Sequence, residues 1–143
     1  MEIKRNGATL NRPEGDRVID APYVFIDIPA FVSQLKDEKA WDKNDRNGIT
    51  VFKSDNMTIV LTALQKKAEL GNNIVDGFLT VHILKGKVRF STPDGDIDAN
   101  KNKMIAFHPG VCHSIRAKSN AVLLITNYST DERDSVLEND PVL

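Results

Sequence analysis

From Ile49 to Tyr128 the apolar positions recur every second residue rather than every third or fourth, which is the period of strands whose two faces meet different surroundings. The alternation predicts strands over 49–53, 57–64, 78–85, 87–92, 96–98, 104–107, 111–116 and 121–128. Between them stand residues that turn at low cost: Ser54-Asp55-Asn56, Gly71-Asn72-Asn73, Gly86, Pro93-Asp94-Gly95, Asn100 to Asn102, Pro109-Gly110 and Ser119-Asn120. Many short strands with almost no helix between them predict an antiparallel sandwich or barrel.

Upstream the pattern changes. Residues 1–20 are polar and weakly alternating, and predict an arm with one short edge strand around Ala8 to Asn11. Tyr23 to Ile28 is β-branched and aromatic and predicts a further short strand. Pro29 suits the first turn of a helix, where its missing N–H costs nothing. Phe31, Val32 and Leu35 then fall on one helical face, which predicts a helix over 29–40 with Trp41 pinning its end. Asp42 to Gly48 is a turn cluster. The expected organisation is an arm over 1–22, one domain over 23–129 and a polar tail over 130–143.

Composition narrows the classes. At 143 residues the chain suits a single domain, and its net charge of -1 gives no electrostatic case for nucleic acid or an anionic membrane surface. Neither a phosphate-binding glycine loop nor a run of eighteen apolar residues occurs, and the first fifteen residues lack the apolar segment of a secretory signal. Cys112, the single cysteine, excludes an intrachain disulfide framework and is expected to be an inert buried thiol. A cytoplasmic location is the resulting expectation.

Two stretches then carry a resemblance. They are GFLTVHILKGKVRF over 77–90 and HPGVCHSIRAKSNAVLLITNY over 108–128. With TIVLTALQKKAEL over 58–70, they resemble the two halves of a cupin, in particular the small single-domain cupins. That resemblance implies an all-β double-stranded β-helix, a jelly-roll barrel, with one short N-terminal helix outside it, and a homodimer. The family's metal-binding positions are mostly altered. Anchored on Gly86, the family's Glu falls on Leu79 and its two His on Asn73 and Val75, or on Asn72 and Ile74. Anchored on His113, the family's Gly is Gly110, its Pro position holds His108, and its final Asn is Ala117. The first Gly of that motif falls on Asn102, the next best residue where φ is positive.

Strand parity places Leu79, Val81 and Ile83 on one face, and His113 on a face with Val111 and Ile115. The expected site is a cavity lined by His113, Asn73, Leu79, Val81 and Ile83, binding a small organic ligand without cofactor or metal. No residue is assigned as catalytic. One alternative is a metal-dependent enzyme of the dioxygenase or isomerase type, with His113, His108 and a rim carboxylate such as Glu69 or Asp76 as ligands. Another is a structural dimer module joined through the outer face that carries Phe78, His82 and Leu84.

Overall fold

The alternation from residue 49 onward is realised as two facing sheets. A computed structural model describes residues 1–129; the expected tail over 130–143 lies outside them. In chain order the elements are β1 (Lys4–Asn6), β2 (Arg17–Asp20), α1 (Ile28–Asp37), α2 (Lys39–Lys43), β3 (Arg46–Lys53), β4 (Met57–Leu64) and β5 (Glu69–Asn73). They continue with β6 (Phe78–Lys85), β7 (Lys87–Thr92), β8 (Gly95–Asn100), β9 (Met104–Phe107), β10 (His113–Ala117) and β11 (Ala121–Tyr128). One sheet runs β3-β4-β11-β6-β9 and the other β5-β10-β7-β8, with all neighbours antiparallel. The fold is all-β, with both helices on the outside of the larger sheet.

The chain crosses between sheets at turns that the sequence marks. Gly86, at φ +83°, is the single residue between β6 of one sheet and β7 of the other. A Cβ there would stand 2.2 Å from the Asn120 carbonyl oxygen, so the corner demands glycine on both conformational and steric grounds. Asn102 holds positive φ as expected for its motif position.

Inward residues of both sheets form the main core: Leu79, Val81, Ile83, Leu123 and Ile125 from one, and Val88, Phe90 and Ile115 from the other. A second cluster lies on the outer face of the larger sheet, where Leu35 of α1 packs with Ile49, Val51, Leu61, Ala63 and Val122. Asp27 caps α1 by accepting a hydrogen bond from the Ala30 N–H at 3.2 Å. Burying the Leu35 side chain stabilises the docked helix by about 1.5–3 kcal/mol.

Upstream of β3 the structure departs from the expected pattern in several places. The helix expected over 29–40 is two helices that break at Glu38. The break has a cause in charge: the Glu38 carboxylate accepts from Arg12 Nη2 at 2.9 Å, Asn47 Nδ2 at 3.0 Å and Gln34 Nε2 at 3.2 Å. Arg12 also donates to the Gly48 carbonyl at 2.8 Å, so one guanidinium joins the N-terminal segment, the helix break and β3. The expected arm is therefore a hairpin fastened to the domain, with strands at 4–6 and 17–20 rather than 8–11. Tyr23 to Ile28 is not a strand. Its alternation is real, with Val24 and Ile26 half-buried and Tyr23 and Phe25 exposed, but among the described residues it has no ladder partner.

β5 was hidden by its own residues. Gly71-Asn72-Asn73 reads as a turn, yet it pairs with β10 through an irregular register in which Leu70 faces Ile115 and Asn73 faces His113. Asn72 takes φ +35°, which lets a turn-forming sequence sit inside a ladder as a bulge.

Candidate functional site

The inner faces of the two sheets are apolar along most of their length and turn polar at one end. In the larger sheet, register aligns Lys53, Thr58, Asn127, Leu79 and Phe107 in one row. The next row toward the apolar end holds Thr50, Val60, Ile125, Val81 and Ile105. In the smaller sheet the corresponding end is His113 beside Asn73. The two ends meet where the His113 ring stacks on Phe107, with centroids 4.3 Å apart and planes 14° from parallel.

His113 is buried at 2% exposure, and its Nδ1 lies 3.1 Å from the Val111 carbonyl oxygen. A carbonyl can only accept, so the ring hydrogen sits on Nδ1 and donates there. Nε2 is buried and has no hydrogen-bond partner among the described residues. Asn127 Nδ2 and Thr58 Oγ1, neighbours across the β4–β11 ladder, are buried without partners too. Such groups are rare in folded proteins and call for an explanation, because each costs free energy while unpaired. Thr62 Oγ1 is a fourth, displaced four residues along β4 toward the apolar end.

The expected site residues fall into two groups. His113 and Asn73 are brought together as register partners, and the Asn73 side chain is half-buried and donates to the Leu70 carbonyl at 3.3 Å. Leu79 lines the polar row. Val81 and Ile83, like Leu79, are buried in the core between the sheets. Asn127 and Thr58 were not singled out from the sequence, although inward-facing polar residues in apolar strands are the signal that finds them.

A metal does not fit these donors. His108 points away from the interior: Phe107 takes the inward position, while His108 is exposed against Phe78 at a centroid distance of 5.2 Å. Glu69 and Asp76 are exposed. Among the described residues no three His, Cys, Asp or Glu side chains converge, and a held metal ion requires three or four such donors. The metal alternative thus loses the second ligand assigned to it.

Cys112 is exposed rather than buried, as alternation with buried His113 requires. The outer face considered for a dimer is partly taken within the chain, since Leu84 packs against the helix cluster while Phe78 stays exposed. Among the described residues no helix is long and apolar enough to cross a membrane.

No protein-family model matches the sequence, and no curated protein matches it. Solved structures match its fold. A cupin superfamily protein from Desulfitobacterium hafniense has a TM-score of 0.58 at 19% identity, covering 59% of this chain and 78% of that one. A conserved protein of unknown function from Streptococcus pyogenes has a TM-score of 0.62 at 17% identity, covering 79% and 92%. An RmlC-like cupin from Desulfovibrio desulfuricans has a TM-score of 0.55 at 23% identity, covering 61% and 84%. Likeness at these identities is likeness of fold and carries no activity with it. Two antiparallel sheets facing across one core, crossed at Gly86 and again between Phe107 and His113, give this chain a fold like that of the cupin structures it matches.

Proposed function

We propose that this chain binds a small organic molecule between its sheets at the His113 end, holding it by hydrogen bonds rather than through a metal. The observation that carries this reading is the set of three unpartnered buried polar atoms, His113 Nε2, Asn127 Nδ2 and Thr58 Oγ1, at the polar end of an otherwise apolar interior. Leu79 and Phe107 supply apolar walls between them, and half-buried Asn73 stands at the rim. Apolar walls with a few placed polar groups are the usual make-up of a small-molecule site.

The test is a thermal-shift screen of small metabolites, repeated on His113→Gln and Asn127→Leu. A ligand at a hundred times its Kd stabilises the folded state by about 2.7 kcal/mol, a shift of several degrees. The expected result is a compound that stabilises the wild type and loses that effect in both variants. A compound whose shift survives both substitutions binds elsewhere and overturns the reading, as does a screen in which nothing binds.

A further inference from the structure

A cleft of about 500 Å³ opens outside the two-sheet core, between the β1–β2 hairpin and the helix break. Its walls carry two half-buried guanidiniums, Arg12 and Arg17, together with the Glu38 carboxylate and the side chains of Asn6, Thr9 and Asn11. A volume in this range suits a small molecule rather than a bare ion.

Charge in the cleft is unbalanced. Glu38 is taken by Arg12, whose Nε lies 3.0 Å from one carboxylate oxygen and whose Nη2 lies 2.9 Å from the other. Arg17 has no such partner. It donates from Nε to the Thr50 carbonyl at 2.8 Å and from Nη1 to the Gly15 carbonyl at 2.6 Å. Its acidic neighbour Asp16 is paired with Arg5 at 2.8 Å. Two cations and one anion leave one positive charge over, since the other lining residues are neutral.

The carbonyls occupy two of the five N–H groups that the Arg17 guanidinium offers. Among the described residues Arg17 Nη2 and Arg12 Nη1 have no acceptor, and neither is shut away from solvent. A half-buried charge without a counter-ion costs free energy. Burial, and after it the Arg12 charge, lower the Arg17 pKa, with Glu38 opposing them.

We propose that this cleft binds a small monocarboxylate with a polar body, held by the N–H groups left open on Arg17 and Arg12. A guanidinium takes a carboxylate through two parallel hydrogen bonds. One negative charge cancels the surplus, whereas a second would face Glu38 with no cation to meet it. The Thr9 hydroxyl accepts from the Arg12 backbone N–H at 3.1 Å and keeps its own hydrogen to donate. With the Asn6 and Asn11 amides it suits hydroxyl groups along the ligand rather than a hydrocarbon chain. The cleft is lined by none of the residues of the His113 end, so its occupancy is independent of the binding reading above.

The experiment is nitrogen-15 NMR of the arginine Nε–H groups in the full chain, with D-gluconate, sorbitol, hexanoate and inorganic phosphate as separate probes. The first three share a six-carbon length and carry carboxylate with hydroxyls, hydroxyls alone and carboxylate alone. Saturable shifts at Arg12 and Arg17 are expected with gluconate, and binding of each other probe at least about tenfold weaker. Asn11→Asp sets a second carboxylate at an exposed position of the cleft. It should weaken gluconate by at least about tenfold, with a urea midpoint no lower than that of the wild type. Asn6→Asp, also exposed, repeats the test. Sorbitol binding as tightly as gluconate would show that the guanidinium charge is not used, and would overturn the proposal. Tighter binding of phosphate overturns the monocarboxylate class, and tighter binding of hexanoate overturns the polar body. Silence with all four probes, or gluconate shifts that survive both substitutions, overturns the site itself.

Discussion

If Thr58 is held unpaired for a ligand's sake, removing its hydroxyl should make the protein more stable. Thr58 is 1% exposed, and its Oγ1 has no partner among the described residues. Valine has the same branched shape with a methyl in place of the hydroxyl, so Thr58→Val changes polarity with little change in volume. An unpaired buried polar group costs about 1–3 kcal/mol, and replacing it with an apolar group of the same shape recovers part of that cost. A gain of about 1 kcal/mol is expected, which is a rise in Tm of about 4 °C for a domain of this size. Urea denaturation is the assay, and the midpoint should rise at unchanged slope, because the surface exposed on unfolding is nearly the same. Thr62→Val provides the comparison: its hydroxyl is unpaired but lies four residues toward the apolar end. Both variants should gain stability, and only Thr58→Val should weaken ligand binding. A Thr58→Val variant less stable than wild type would mean that the hydroxyl is already paired, for instance with a buried water. The hydroxyl would then not be waiting for a ligand.

Three further outcomes follow from other parts of the fold. Burial raises the pKa of Glu38, but hydrogen bonds from Arg12, Asn47 and Gln34 and the Arg12 charge outweigh that and hold it below the usual carboxylate value. Its stabilising contribution is therefore complete above the unfolded pKa and disappears as pH falls through the folded one; in Glu38→Gln, stability measured by urea titration between pH 3 and 7 should depend less on pH and be lower at neutrality. Leu35→Ala empties a fully buried position between α1 and the larger sheet and should cost about 2–5 kcal/mol, read as a lower urea midpoint. Gly86→Ala combines a left-handed backbone with a Cβ that would stand 2.2 Å from the Asn120 carbonyl, and calorimetry should show it losing more than the roughly 1 kcal/mol that a side chain at positive φ costs without a clash.

The parts of the fold legible in the sequence are those where one face of a strand is apolar and a turn former stands at each end. β4 matches the expected 57–64 residue for residue, and β6, β7, β9 and β11 match equally well, because a one-residue slip would turn every apolar side chain to the wrong face. Tyr23 to Ile28 alternates without forming a strand. Periodicity reports which side of a segment is buried, and a strand also needs a ladder partner, which no local pattern encodes. β5 shows the converse: Gly71-Asn72-Asn73 looks like a turn, and pairing with β10 holds it in a sheet through a bulge at Asn72. The break at Glu38 was equally out of reach, since Arg12, which holds that carboxylate, comes twenty-six positions earlier and Asn47 nine later.

The site divides along the same line. His113 was findable because it stands three residues after Gly110 in a recognisable turn-and-strand pattern. Asn127 and Thr58 carry no motif, and each reads by itself as one polar residue in a strongly apolar strand. Register gives them meaning. Thr58 faces Asn127, Asn127 faces Leu79, and Leu79 faces Phe107, so residues from four separate strands become one row with His113 stacked over its end. In the next row Val60, Ile125 and Val81 stand at the corresponding places, so the same fold can fill those positions with apolar side chains. A chain under selection for stability alone would be expected to do so throughout, given what each unpaired polar atom costs. Three of the four unpaired polar atoms stand together at one end of the interior, on both sheets at once, and the binding reading proposed above accounts for those three but not for Thr62. The Thr58→Val and Thr62→Val pair separates that reading from a purely structural role, which predicts no difference in binding between them.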